Sequence, residues 1–201
     1  MKDSKKISLF INSATKALSY GALMGDVYEK VDLGNPKAAL ERGNLGISLL
    51  CEKLGFELKD VDDFYTLLGP GSNTGIRLGL TIPRTIYAFN PSIGIYGIPT
   101  MELMCKVKDC AALSDRNGNL FLAQKDEKGT VSFHRVDKTD ISFIPKQEIA
   151  VEAEDSLAIE ELEGYPLTKV NILDLMVQFK DEFKNFSSHE EDYLPEYILK
   201  I

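Results

Sequence analysis

The segment at residues 69–77 constrains the fold of this chain more than any other stretch of its sequence. It reads GPGSNTGIR, follows the apolar run FYTLL and opens onto a helical pattern. An apolar run that ends in a tight turn is typical of a buried strand, and α/β folds bind phosphates or partners at such strand-to-helix turns. The segment therefore predicts an α/β fold and raises the question of whether its turn holds a ligand.

The common nucleotide-binding patterns do not fit the spacing of this turn. A Walker loop needs a lysine after its last glycine, and here Ile76 and Arg77 follow Gly75. The dinucleotide pattern Gly-x-Gly-x-x-Gly has one residue fewer between its last two glycines. A helix N-terminus with hydroxyl groups on Ser72 and Thr74 could still hold an anion. The alternative, which spacing alone favours, is a tight turn capped by Ser72, with Arg77 solvated or paired to an acid.

The regions on both sides of the turn predict a fixed order of elements. Alternating and β-branched residues indicate strands, while Pro36 and Gly55 bracket a helix. The predicted elements are strands at 7–11, 19–24 and 27–31, a helix at 37–54, a strand at 61–68, a helix after the turn and a strand at 92–98. This order is typical of the ribonuclease-H-like lobe of the actin-like ATPases, so such a lobe is predicted for residues 1–99.

The second half of the chain predicts a smaller and less regular lobe at residues 100–201. A hairpin is expected from the runs 111–114 and 120–123, followed by a strand at 130–136. Residues 146–164 are acidic and indicate a loop. Behind Asn171, a good N-cap, apolar residues recur at helical spacing from Ile172 through Phe179 to Phe183. An actin-like fold of two lobes is therefore predicted, with the second lobe degenerate and the tail free to return to the first.

Charge and cysteine usage argue against several kinds of function. The chain has 31 acidic and 23 basic residues and a net charge of −8, which disfavours a broad nucleic-acid surface. Its three cysteines form no Cys-x-x-Cys pair, and His134 and His189 have no ligand-spaced companion. No catalytic residue, metal site or cofactor is therefore predicted. No signal peptide or membrane span is predicted either, and the expected location is cytoplasmic.

The stretch GPGSNTGIRLG at residues 69–79 resembles the signature of the TsaB family, once called YeaZ. Four further segments resemble family motifs in the right order, namely NSAT at 12–15, GIPTM at 97–101, DRNGNLF at 115–121 and PEYIL at 195–199. The resemblance is continuous over residues 1–125 and returns in the tail.

This resemblance implies the actin-like fold and a non-catalytic role. Members of the family bind TsaD, the subunit that transfers threonylcarbamoyl to the adenosine beside the anticodon of certain tRNAs, and an ATPase, TsaE, joins the assembly. The expected partners are therefore a TsaD-like transferase and a TsaE-like ATPase, with tRNA contacted only indirectly. Two alternatives stay open. One is a nucleotide-dependent enzyme or glycopeptidase-like hydrolase of the actin superfamily, and the other is a homodimer through the same helices.

In the family, the first helix and the helix after the glycine turn form the partner surface. The resemblance therefore implies an interface at Ala39, Gly43, Gly46, Leu50, Gly71, Ser72, Thr74, Gly75 and Arg77. The three small residues of the first helix follow one another at spacings of four and three, which lets another helix approach closely. A glycine inside a helix costs about 1 kcal/mol relative to alanine, so a packing reason is expected. Packing of this stripe against the chain's own sheet is the alternative.

Three positions depart from the family pattern. Asn12 replaces an aspartate, which removes the carboxylate that actin-like ATPases use near their metal and argues against ATP hydrolysis. Asn73 stands where a phenylalanine is usual. Pro83 lies inside the second predicted helix, where it removes a backbone donor and crowds the carbonyl of Gly79. A kink or an early helix end near residues 81–82 is therefore predicted.

Overall fold

The computed structural model describes residues 5–34, 39–115, 117–137 and 147–187, with side chains from residue 42 onward in the helix that begins at Ala39. The strands are β1 (Ile7–Asn12), β2 (Ser19–Met24), β3 (Val27–Asp32), β4 (Asp63–Leu67), β5 (Gly94–Ile98), β6 (Cys110–Ser114), β7 (Leu120–Lys125), β8 (Val131–Val136), β9 (Ile149–Glu152), β10 (Leu167–Val170) and β11 (Lys184–Asn185). The helices are α1 (Ala39–Leu54), α2 (Asn73–Phe89), α3 (Thr100–Met104), α4 (Ser156–Glu161) and α5 (Ile172–Gln178), with 3₁₀ turns at Leu58–Asp60 and Lys180–Glu182.

The strands form two sheets of the same topology. The first sheet has the order β11-β5-β4-β1-β2-β3, and the second has the order β10-β9-β6-β7-β8. In each, an antiparallel meander of three strands is followed by two strands that add in parallel on the other side of the first strand. A helix connects the two parallel strands in both, α2 in the first sheet and α4 in the second. This repeat is the two-lobed α/β architecture that the element order predicts.

Helices cover both faces of the first sheet. On one face α1 lies against β2 and β3, and α2 lies against β4 and β1. On the other face, rings of Phe10, Tyr65 and Tyr96 stack with centroids 4.7 and 4.9 Å apart, and Phe183 meets Tyr65 edge-on at 5.4 Å. Aromatic pairs in these arrangements contribute beyond the area they bury. The side chains of both faces belong to one large core, and a smaller core lies in the second lobe.

Most of the predicted elements of the first lobe are present with nearly the expected bounds, and so is the predicted N-cap of α5 in the second half of the chain. Asn171 caps α5 through its side-chain oxygen, which accepts from the backbone N–H of Asp174 at 3.0 Å. Gly55 ends α1 with a φ of 70°, a backbone conformation that favours glycine. After α5 the chain returns to the first sheet, where β11 pairs with β5. The motif at residues 195–199 lies outside the described residues.

Three expectations are wrong. Residues 146–164 are not a loop, because they contain β9 and α4, and their acids Glu152 and Asp155 are buried rather than solvated. The last helix ends at Gln178, so Phe179 and Phe183 lie beyond it. Of the two outcomes predicted for Pro83, the early end of α2 at residues 81–82 does not occur, since α2 continues through a buried Pro83 to Phe89, while the kink stays a prediction. Pro83 is itself buried, and Leu80 is buried one turn before it, so α2 keeps its contacts with the core on the turn that contains the proline.

None of the helices in the described residues is long and apolar enough to cross a membrane.

Candidate functional site

The glycine turn, defined as residues 69–75, links the end of β4 to the start of α2. Ser72 is the N-cap of α2, and its Oγ accepts from the backbone N–H of Gly75 at 3.3 Å. The backbone N–H of Ser72 donates to the carbonyl oxygen of Ala14 at 2.6 Å. Two backbone donors of the turn are thus engaged inside the chain, so the capped-turn alternative describes this segment.

The glycine turn lies against the first turn, defined as residues 13–18 between β1 and β2. A Cβ on Gly71 would lie 2.3 Å from the carbonyl oxygen of Ala14, and one on Gly75 would lie 1.6 Å from that of Ser13. Real Cβ atoms do not approach oxygen so closely, and only glycine permits this contact of two backbones. The Ser13 hydroxyl also donates to the carbonyl of Gly75 at 2.6 Å. The structure therefore brings two of the motif segments together.

The small-residue stripe of α1 is also packed within the chain. A Cβ on Gly43 would lie 2.9 Å from Cδ2 of Leu78 in α2, and one on Gly46 would lie 2.2 Å from Cδ2 of Tyr20 in β2. Leu50 is fully buried. These three residues face the sheet and the second helix of the same chain, which is the alternative that their spacing left open. Their role in a partner interface stays a prediction, and the Ala39 side chain is outside the described residues.

The outer faces of α1 and α2 form the exposed part of the predicted interface. Of the predicted interface residues on α2, Arg77 is exposed and Thr74 is half-buried. Leu45 on α1, which the prediction does not include, is 46% exposed. Along α1 and the segment that follows it, a groove of about 340 Å³ is lined by Asn44, Ile47, Ser48, Cys51, Phe56, Glu57 and Leu58. Helix α2 carries two arginines and no acidic residue in a chain with a net charge of −8. An exposed arginine on α2 and an exposed leucine on α1 are therefore the surface features of these two helices.

A cluster of buried polar groups around Glu152 joins the two lobes. Glu152, at the end of β9, is fully buried, and its carboxyl group contacts Thr15 Oγ1 at 2.5 Å and accepts from the backbone N–H groups of Lys16 at 2.9 Å and Ala17 at 3.2 Å. Burial raises the pKa of Glu152 to about 7 against the opposing effect of these hydrogen bonds. Sequence reasoning missed this residue because it lies in the stretch read as an acidic loop. The apolar run IAV before it was the available signal.

Asp155 ties β6 to α4 in the second lobe. Its carboxylate accepts from the backbone N–H and the hydroxyl of Ser114, both at 2.6 Å, and from the backbone N–H of Ala158 at 3.2 Å. The first lobe has an equivalent joint, in which Ser13 follows β1 and contacts the start of α2. In both lobes, therefore, a serine at the end of the first strand contacts the start of a helix.

Histidine, cysteine and acidic side chains are the groups that could bind a metal ion or react. In the parts of the chain that the structure describes, no three His, Cys, Asp or Glu side chains are grouped so that they could hold a metal ion. His134 is exposed on β8, and His189 is outside the described residues. Burial raises the pKa of Cys105 to about 12, which suppresses its reactive thiolate form.

Comparison with known proteins gives a structural match without a sequence match. No family model and no curated protein matches the chain in sequence. YeaZ from Pseudomonas aeruginosa superposes with a TM-score of 0.68 and 14% identity, over 94% of this chain and 98% of that one. A second crystal structure, of an uncharacterized protein with similarity to peptidase YEAZ from Pseudomonas aeruginosa, gives 0.66 and 15% over 91% and 96%.

At such low identity, structural similarity establishes the fold and does not by itself transfer a function. It covers nearly the whole of each chain, both lobes included, and agrees with the resemblance carried by residues 69–79. The chain has the actin-like, ribonuclease-H-like fold of the YeaZ (TsaB) structures.

Proposed function

We propose that this chain is a non-catalytic scaffold that binds and activates a TsaD-like transferase in the threonylcarbamoylation of the tRNA adenosine beside the anticodon. The observation that carries the proposal is the outer face of α1 and α2. The two helices occupy the positions that the order of the family's motifs predicts. Leu45 on α1 and Arg77 on α2 are both exposed. A TsaE-like ATPase is the further component of the assembly.

The interface meets its partner through the exposed neighbours of the small-residue stripe. Gly43 and Gly46 set the close approach of α1 to Leu78 and Tyr20, so their contribution is to hold the two helices in position. Leu45 on α1 and Arg77 on α2 then make the contacts with the partner. Arg77 is well suited to such a role because arginine is enriched in protein interfaces, and Leu45 adds exposed apolar area for a partner to bury.

The charge of α2 specifies the kind of surface that it meets. Exposed Arg77 and the lack of acidic residues on α2 favour an acidic face on the partner, and complementary potentials speed association and exclude wrong partners. The overall charge of −8 disfavours direct contact with the tRNA backbone. The basic tRNA surface of the assembly therefore belongs to the transferase. In the absence of that partner, the same face is available for a homodimer.

The alternative of a nucleotide-dependent enzyme or hydrolase is less well supported. A phosphate site at the glycine turn needs backbone donors that face solvent, whereas those of Ser72 and Gly75 are engaged inside the chain. Calorimetry with ATP tests this alternative directly. Hydrolysis of ATP that is lost in Ser72→Ala or Thr74→Ala would support it against the scaffold.

Binding to a TsaD-like transferase, measured by calorimetry, tests the scaffold proposal. Leu45→Glu and Arg77→Glu are expected to weaken binding at least tenfold, because each places a carboxylate on the proposed interface. Lys169→Glu is the matched control, since it reverses an exposed charge on β10 in the second lobe. Circular dichroism verifies that all three variants fold. Unchanged affinity in Leu45→Glu and Arg77→Glu would show that this face is not the interface.

A further inference from the structure

The joint between the lobes centres on a single hydroxyl group. Thr15 Oγ1 lies 2.5 Å from Oε1 of Glu152 and 3.0 Å from Oδ1 of Asn12. Asn12 and Thr15 belong to the first lobe, and Glu152 ends β9 of the second. All three side chains are buried, so water does not complete their hydrogen bonds from solvent.

Counting protons distinguishes the two charge states of Glu152. The amide nitrogen of Asn12 contacts Ser19 Oγ, which directs the amide oxygen at Thr15. In this orientation of Asn12, an ionised Glu152 and the amide oxygen both require a proton from Thr15, whose hydroxyl group has one to donate. One of the two contacts would then hold two oxygens together without a proton between them. A neutral Glu152 removes the conflict, because its own O–H donates to Thr15 Oγ1 and Thr15 donates to Asn12. The amide of Asn12 extends the chain by donating to Ser19 Oγ at 3.4 Å.

We propose that a proton on Glu152 closes a directed hydrogen-bond chain, Glu152 to Thr15 to Asn12, which fastens the two lobes together and loosens when Glu152 ionises. The neutral acid keeps its remaining lone pairs for the backbone N–H groups of Lys16 and Ala17. This inference does not depend on the identity of a partner. It assigns the buried Glu152 a role as a proton-linked joint within the fold.

The charged groups around the joint do not neutralise a Glu152 carboxylate. Asp155, three residues along the chain, is negative and buried, and it disfavours a second negative charge. The Lys16 ammonium group lies 3.4 Å from the backbone carbonyl of Asp115, while Arg135 pairs with the Asp115 carboxylate at 2.6 Å. The nearby cations are thus directed towards Asp115. Burial raises the pKa of Glu152 to about 7, which agrees with the proton count.

The consequence is a loss of stability with rising pH. An exposed glutamate has a pKa of 4.5, so the unfolded chain releases this proton before the folded chain does. Between pH 4.5 and about 7 the unfolding equilibrium constant is expected to rise by up to about tenfold for each pH unit from this group alone. Above that range the contribution stays constant.

The first test is a carbon-13 NMR titration of the full chain labelled at the glutamate carboxyl carbons. The Glu152 signal is assigned by its absence in Glu152→Gln. It is expected to titrate above pH 6, whereas a midpoint at or below 4.5 would overturn the proposal. Urea unfolding across pH 5–8 gives a second readout. Wild type is expected to lose stability relative to Glu152→Gln as pH rises, and a constant difference would contradict the joint. Glu154→Gln, which changes an exposed acid, is the control.

Thr15→Val reports the direction of the hydrogen bond. If the acid donates to Thr15, the substitution removes the acceptor of the neutral form and lowers the pKa of Glu152. If Thr15 donates to a carboxylate, the substitution removes that donor and raises the pKa. A rise would overturn the proposal. Should Thr15→Val fail to fold, the wild-type titration and the pH dependence of Glu152→Gln decide the matter by themselves.

Discussion

Gly75 contacts the backbone of Ser13 so closely that a Cβ at residue 75 would lie 1.6 Å from the Ser13 carbonyl oxygen. The two residues are far apart in sequence, and each lies in one of the turns that hold the first lobe together. Their contact explains the third glycine of the motif, Gly75, by packing rather than by ligand binding. The motif at residues 69–79 is thus a joint between α2 and the first turn.

Gly75→Ala is expected to lower the free energy of unfolding by at least about 3 kcal/mol. The added methyl group must push apart two backbone segments, and overpacking against backbone is among the costliest core changes. Urea unfolding measures the loss. Thr74→Ala, at the half-buried neighbouring position, is expected to cost less than about 1 kcal/mol. Equal losses in the two variants would contradict this account of the motif.

Local sequence signals were sufficient to predict most of the first lobe. Strand periodicity predicted the meander and the parallel strands that follow, and Gly55 marked the end of α1, because these signals act within a few residues. The direction faced by Gly43 and Gly46 was not predictable. A stripe at spacings of three and four lets either the chain's own sheet or a foreign helix approach, and only the tertiary fold decides between them.

The inter-lobe joint was unpredictable for a different reason. Thr15 and Glu152 are 137 residues apart, and nothing in the sequence near either residue refers to the other. Glu152 lies in an acidic stretch, where charge normally indicates a solvated loop. Its burial is possible because Thr15 and two backbone N–H groups satisfy the carboxyl group, and such partners become visible only once the lobes are assembled.

Gly46→Ala is expected to lower the free energy of unfolding by about 2 kcal/mol. Its new Cβ would lie 2.2 Å from the Tyr20 ring, which is fully buried and has little room to move. Gly55→Ala is the matched control at the end of the same helix. Nothing lies within 4 Å of a Cβ there, and its φ of 70° alone costs about 1 kcal/mol.

Thermal unfolding of the two glycine variants provides the comparison. A smaller loss in Gly46→Ala than in Gly55→Ala would show that the ring of Tyr20 yields, contrary to the packing described. The result also bears on any interface experiment at this position. The larger side chain of Gly46→Leu is expected to prevent folding, because even a Cβ there would lie 2.2 Å from the Tyr20 ring. Loss of a complex in such a variant would report misfolding rather than contact.

Pro83→Ala is expected to raise the free energy of unfolding by about 1 kcal/mol. The alanine has a backbone N–H that can donate to the carbonyl oxygen of Gly79, and it removes the clash of the proline ring with that carbonyl group. The lost hydrogen bond and the clash together cost about 3 kcal/mol in a helix interior. The loss of buried ring contacts offsets part of this gain. Urea unfolding and circular dichroism measure the result. A loss of more than about 1 kcal/mol would mean that packing of the proline ring dominates.

The turn between β6 and β7 depends on an ionised Asp115. Its carboxylate accepts from the backbone N–H groups of Asn117 at 2.7 Å and Asn119 at 2.9 Å, and Arg135 Nη2 pairs with it at 2.6 Å. Burial alone would raise the pKa of this carboxyl group, but the hydrogen bonds from Asn119, Arg135 and Asn117 outweigh burial and lower it. The stability that Asp115 contributes is therefore present above the unfolded pKa of 3.8 and is lost as pH falls through the lower folded value.

Asp115→Asn is expected to lower the free energy of unfolding by about 1–2 kcal/mol at pH 7, because it removes charge-assisted hydrogen bonds. As pH falls below 3.8 and through the lower folded pKa of Asp115, the difference from wild type should shrink towards zero. Asp126→Asn is the matched control, since Asp126 accepts from the backbone N–H groups of Lys128 and Thr130 in the next turn. Its effect at pH 7 should be the smaller of the two, because it involves backbone donors only. An Asp115→Asn effect that does not shrink as pH falls below 3.8 would show that the asparagine disturbs packing rather than charge.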